Sequence, residues 1–155
     1  MEVGGGRESP PGGDDEMPTT YVKPRAVKMT DRQAKALHAK AHAAGMAAGQ
    51  AARPVPMFVV RRANPFDDNS PVLEAFPPVM DGACGFAWVK IRPATGGFVR
   101  WLKAQDMGFK GYTGGYDIWV REFGQSLERK EAYARAYAEV LTEAGLTAYP
   151  QSRMD

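Results

Sequence analysis

Apolar positions recur three and four apart through residues 31–52: Leu37, Ala41, Ala44, Ala48 and Ala51 share one side, which predicts a helix. Thr30 stands where an N-cap belongs, and Gln33 holds the matching position of a capping box. Pro54 and Pro56 end the run, because proline cannot donate the next helical hydrogen bond. The side chains of this helix are unusually small. Gly45 and Gly49, four apart, lower helix propensity but let another surface approach the backbone closely. A second stripe, Tyr133, Tyr137, Val140, Leu141 and Ala144, follows Ser126 as N-cap and stops at Gly145. Residues 97–104 form a short third helix carrying Phe98, Trp101 and Leu102.

A period of two replaces the helical period in Cys84 to Ile91 and again in Tyr116 to Phe123, which predicts two strands. Leu146 to Tyr149 adds a third, and Met57 to Val60 is a short β-like run. Residues 61–80, rich in Asn, Asp, Pro and Ser, read as a loop, and residues 111–115 as a Gly-rich turn. No internal repeat is present. The predicted class is α+β. A small three- to four-stranded sheet carries the long C-terminal helix on one face. The Ala/Gly-rich N-terminal helix lies on or near the other.

Strand alternation separates two sets of side chains. Ala87, Val89 and Ile91 fall on one side, with Tyr116, Ile118 and Val120 on the matching side of the second strand. Phe86, Trp88 and Lys90 fall on the other, with Asp117, Trp119 and Arg121, and Arg92 lies nearby. Aromatic rings among cations are the chemistry of base stacking on a sheet. The expected arrangement instead has the small-sided N-terminal helix lying flat over these large rings. A protein-binding face is the third option.

Charge sharpens the domain boundary. The net charge is only +2, but it is unevenly spread. Residues 1–20 hold five acids and one base, a balance of −4, among Gly, Pro and Ser. Residues 21–53 hold seven bases and one acid, a balance of +6. The acidic tip has almost nothing to bury and is expected to be disordered alone. Residues 1–29 are therefore assigned to an arm, and residues 30–155 to a single domain. Lys23, Arg25 and Lys28, on the basic connector, join the candidate binding residues. A basic stripe suits a polyanion or an acidic protein surface, or is simply a solvated face.

Candidate chemistry is sparse. Cys84, the single cysteine, excludes an intramolecular disulfide and sits in a Gly-rich bend. It would be a nucleophile only beside a base, and the only histidines are His38 and His42. Those two are i,i+4 and could chelate zinc with Cys84 and an acid. Asp67, Asp68 and Asn69 lack the spacing of a calcium loop, and Gly111 to Gly115 lacks the ending of a phosphate loop. Arg153 reads as a surface anchor. No catalytic residue, metal or cofactor is assigned. No apolar run approaches a membrane span, and the N-terminus lacks the apolar core of a signal peptide, so an intracellular location without membrane contact is expected.

AHAAGMAAGQAARPVPM (residues 41–57), DGACGFAWVKI (81–91), YTGGY (112–116), QSLERKEAYARAYAEVL (125–141) and SRMD (152–155) together resemble a group of small bacteriophage-encoded proteins. The matching segments amount to about one-third of the chain, lie outside the first 20 residues and carry over no catalytic residue. It implies a phage origin and residence in the host cytoplasm, with incorporation into the virion as one outcome. The expected function is non-enzymatic binding of a partner, in a virion-structural or protein-interaction role that includes self-assembly. A nucleic-acid-binding accessory protein and a small Cys- or metal-dependent enzyme are the alternatives.

Overall fold

A computed structural model describes residues 21–155. The expected disorder of the acidic tip lies outside the described residues. The elements run α1 (Asp31–Ala51), β1 (Val60–Arg62), β2 (Val72–Ala75), β3 (Gly85–Arg92), α2 (Gly97–Ala104), β4 (Phe109–Lys110), β5 (Tyr116–Trp119), α3 (Leu127–Glu143) and β6 (Thr147–Met154). The fold is α+β. A four-stranded antiparallel sheet has the order β4-β5-β3-β6, and β1 and β2 form a separate two-stranded sheet.

The helix ends follow from local chemistry. Thr30 Oγ1 accepts the Gln33 N–H at 3.2 Å, and Gln33 Oε1 accepts the Thr30 N–H at 2.9 Å, completing the capping box. Ser126 Oγ caps α3 by accepting the Arg129 N–H, and donates to the Asp81 carbonyl at 2.7 Å. One hydroxyl thereby starts α3 and fixes the chain entering β3.

Pairing of Val89 with Ile118 and of Ile91 with Tyr116 puts the aliphatic residues on one face of the sheet. That inner face packs on α3, where Tyr137, Ala138 and Leu141 are buried against Ala87, Val89 and Ile91. Gly85 marks the closest approach: a Cβ there would lie 2.8 Å from the Leu127 side chain.

The N-terminal helix does not lie on the opposite face. α1 packs along α3, with a lesser contact to α2. Its small residues do meet bulky rings, but these belong to α3 and the chain before it. A Cβ on Gly45 would reach 2.6 Å from the Tyr133 ring, and one on Gly49 would collide with the Phe123 ring. Two side-chain hydrogen bonds then lock the helices together, His38 Nδ1 to the Tyr137 hydroxyl at 2.7 Å and His42 Nδ1 to the Tyr133 hydroxyl at 2.6 Å. These bonds satisfy polar atoms that would otherwise be stranded between helices.

Four further departures from the sequence reading concern strands. Residues 61–80 are no loop: most of them belong to a hairpin built on β1 and β2, closed at its root by the Met57–Val79 bridge. β6 continues past Tyr149 to Met154, because an edge strand tolerates Pro150. β5 ends at Trp119, and the two-residue β4 was not anticipated. Residues 21–29 form no helix or strand, and Val27 and Met29 pack on the core. Gly97 donates its N–H to the Val27 carbonyl at 3.0 Å.

Candidate interaction surfaces

The outer face of the sheet carries the aromatic residues read from the alternation, and no described element covers it. Trp119 is the hub. The Trp88 ring stacks on it at 5.0 Å between centroids and 12° between planes. Phe86 lies at 5.7 Å and Phe109 at 6.0 Å. The Arg153 guanidinium sits 5.2 Å from the Phe86 ring and 5.7 Å from the Trp119 ring. Each such pair adds about 0.5–1.5 kcal/mol beyond its buried area. Trp88 Nε1 donates to Gln151 at 3.0 Å, whereas the buried Nε1 of Trp119 has no partner among the described residues. Much of the ring surface is thus occupied by neighbouring rings and Arg153, and the cluster remains half-buried with Phe109 52% exposed.

The predicted cations divide. Lys90 is corrected: it is 1% exposed, donates to Asp117 Oδ1 at 2.8 Å and to the Gly114 carbonyl at 2.6 Å, and holds the YTGG turn instead of facing a partner. Arg92 is half-buried and donates to the Thr113 carbonyl at 3.1 Å. Arg121 is exposed. Lys23, Arg25 and Lys28 are exposed on the segment before α1, away from the aromatic hub; Arg25 shares a crevice with Arg92, and Lys28 a groove with Arg100. Sequence reading missed Phe109 and the role of Arg153. The former lies on an unforeseen strand, and the latter becomes legible only once Arg153 is known to pair with Phe86 across β3 and β6.

The second surface is the hairpin arm, residues 55–80. Phe58 is 73% exposed, Leu73 59% and Phe66, at the tip, 96%. Val55, Val59, Val60, Val72, Phe76 and Met80 are exposed too. The arm contacts no other element substantially, but both its ends are anchored. The Val55 N–H donates to Glu128 Oε2 at 2.6 Å, and Asp81 faces Arg129 at 3.5 Å. The tip is braced from within. Asn64 Oδ1 accepts the Phe66 N–H at 3.0 Å, Asp67 Oδ1 accepts the Asn69 N–H at 2.9 Å, and Arg62 donates to the buried Ser70 carbonyl at 2.8 Å.

A cleft of about 330 Å³ opens between α1 and β5, lined by His38, His42, Ile118, Trp119, Glu122 and Tyr133 among others. Burial, and then the neighbouring His42, hold His38 below its ordinary pKa of 6.5, with Glu122 acting the other way. Burial pushes the Tyr133 and Tyr137 hydroxyls well up, so both are neutral. With both Nδ1 atoms bonded to tyrosines, the histidine pair is a helix clasp. Among the described residues no three His, Cys, Asp or Glu side chains converge as metal ligands. The Cys84 backbone bridges Ser126, and its side chain is half-buried. Among the described residues no helix is long and apolar enough to cross a membrane.

Comparison of the chain with family models, with curated proteins and with solved structures finds no match.

Proposed function

We propose that this chain is a non-enzymatic protein that works by docking onto another protein, with the hairpin arm and the outer sheet face as its contact regions. The observation that carries this reading is the arm: a rooted, internally braced hairpin that packs substantially on no other element and leaves its large apolar side chains exposed. A two-stranded hairpin is marginal in water, and contiguous exposed apolar surface of this kind marks an interaction site. The resemblance to small bacteriophage proteins supports a virion-structural or assembly role, exercised in the host cytoplasm.

A photo-cross-linking residue placed at Phe66 or Phe58 tests the reading, in cells where the chain is expressed during infection. Discrete adducts are expected from both positions and not from Lys40, which is exposed on α1. No adduct from either hairpin position would sink it.

A nucleic-acid role has one observation in its favour, the arginines beside the aromatic hub. Two features weigh against it: the rings stack on one another, and Lys90 is spent on Asp117. Binding of single-stranded DNA or RNA that falls steeply with salt and is lost in Trp119→Ala would revive it.

A further inference from the structure

Two uncovered surfaces of the same molecule are complementary. The arm tip presents Phe66, 96% exposed, followed by Asp67 and Asp68, which form no ion pair among the described residues. The outer sheet face presents an aromatic cluster beside Arg121 and Arg153, and neither of these pairs with a described carboxylate. Its central acid, Asp117, is already neutralised by Lys90. An apolar ring with two acids therefore matches an aromatic patch with two bases, in polarity and in sign.

We propose that the arm of one copy docks on the outer sheet face of a second copy of this chain, with Phe66 against the Trp119 hub and Asp67 and Asp68 toward Arg121 and Arg153. This rests on the protein-docking reading above and names its partner. The bracing of the tip favours it, because a loop held in one shape loses little freedom on binding. Since the arm and the face are different patches, the contact is heterologous. Each docked pair leaves one free arm and one free face, so the assembly grows into a ring or a filament instead of stopping at a two-fold dimer.

Sedimentation of the purified full chain, with variants that disable one patch at a time, tests the geometry. The tip variant is Phe66→Ser with Asp67→Asn and Asp68→Asn; the face variant is Arg121→Glu with Arg153→Glu. Wild type is expected to form species larger than a dimer as concentration rises. Each variant alone is expected to be monomeric where wild type is assembled, and an equimolar mixture to stop at a one-to-one dimer. Phe66→Ser alone weakens assembly about 30-fold, as for an aromatic hot spot. It alters a side chain in contact only with solvent, so the fold is retained. A chain carrying Asp67→Lys, Asp68→Lys, Arg121→Glu and Arg153→Glu together, with Phe66 kept, reassembles with itself.

A wild-type chain that stays monomeric, or a tip variant that assembles as wild type does, overturns the proposal. The cross-linker at Phe66 separates this failure from that of the docking reading. An adduct of twice the chain mass supports self-docking. An adduct with a different protein overturns self-docking and leaves the docking reading standing; no adduct from Phe66 overturns self-docking, and none from Phe66 or Phe58 overturns both.

Discussion

The body of the domain and its arm spend similar residues in opposite ways. In the body, Tyr133, Tyr137, Leu141, Val89 and Ile91 are buried between α3, α1 and the inner sheet face, and the polar atoms at the helix interface are paired. In the arm, Phe58, Phe66 and Leu73 stay in water although the backbone around them is ordered by hydrogen bonds. Apolar content alone therefore does not say what a segment is for. What distinguishes the two is whether neighbours in the same chain complete the packing. Substitutions in the body should act on folding, and substitutions in the arm on association.

The largest effect is expected at Asp117→Ala. The carboxylate is 8% exposed and faces a Lys90 side chain that is 1% exposed. Removing it leaves a buried ammonium bonded only to the Gly114 carbonyl. Breaking a buried pair on one side costs about 3–5 kcal/mol. Urea unfolding should show the midpoint falling by a corresponding amount. A loss under about 1 kcal/mol would mean that water reaches Lys90 and that the outer face is less closed than the body.

Gly49→Ala comes next. The added methyl gains helix propensity of about 1 kcal/mol but collides with the Phe123 ring. Overpacking costs about 1–3 kcal/mol, and a net loss is expected in the same unfolding measurement. If Ala is tolerated or stabilises, α1 is free to shift on α3, and the contrast between a close-packed body and an open arm weakens.

The pair of predictions also shows how far the sequence could be read. The capping box at Thr30, the cap at Ser126 and the inner and outer faces of β3 and β5 were legible, because each rests on residues close in sequence. The docking place of α1 was not. Gly45 and Gly49 announce a close approach without saying to what, and both sheet and helix offered large rings. A partial signal existed in the i,i+4 pairs His38/His42 and Tyr133/Tyr137, which match when two helices run antiparallel. The hairpin was hidden for a different reason. With neither face buried, residues 57–79 show no clean alternation, and their register is set by side-chain bonds at the tip, such as the Asn64 N–H to Ser70 Oγ at 2.8 Å. Of the candidate site, the aromatic trio was read correctly as a group, whereas Lys90 was misread because nothing local reveals that Asp117 lies opposite it.

A smaller effect is expected from pH. His38 has its pKa lowered in the folded chain, chiefly by burial, so folding favours the neutral ring. Above the ordinary value of 6.5 both folded and unfolded states are neutral there, and stability is full. As pH falls below 6.5 the unfolded chain takes up the proton first, and stability declines until the folded pKa is passed. Unfolding midpoints measured across that window should fall with acidity in wild type and flatten in His38→Gln. Equal slopes in both would remove the clasp from the account of how α1 is held.

The smallest expected change in stability sharpens the comparison most. Leu73→Ser lies on β2, where every residue is exposed and the strand packs substantially only on β1. Surface substitutions of this kind stay within about 0.5 kcal/mol, so the unfolding midpoint should not move. Association should nevertheless weaken, because the lost side chain belongs to the surface that a partner covers. Unfolding and sedimentation on the same preparation separate the two. A drop of about 2 kcal/mol would mean that Leu73 is already buried by its own chain, with the arm folded back on the domain. An unchanged midpoint with unchanged association would leave the arm's apolar side chains without a role in docking. Only an unchanged midpoint with weakened association fits an arm that is finished in its fold and incomplete in its contacts.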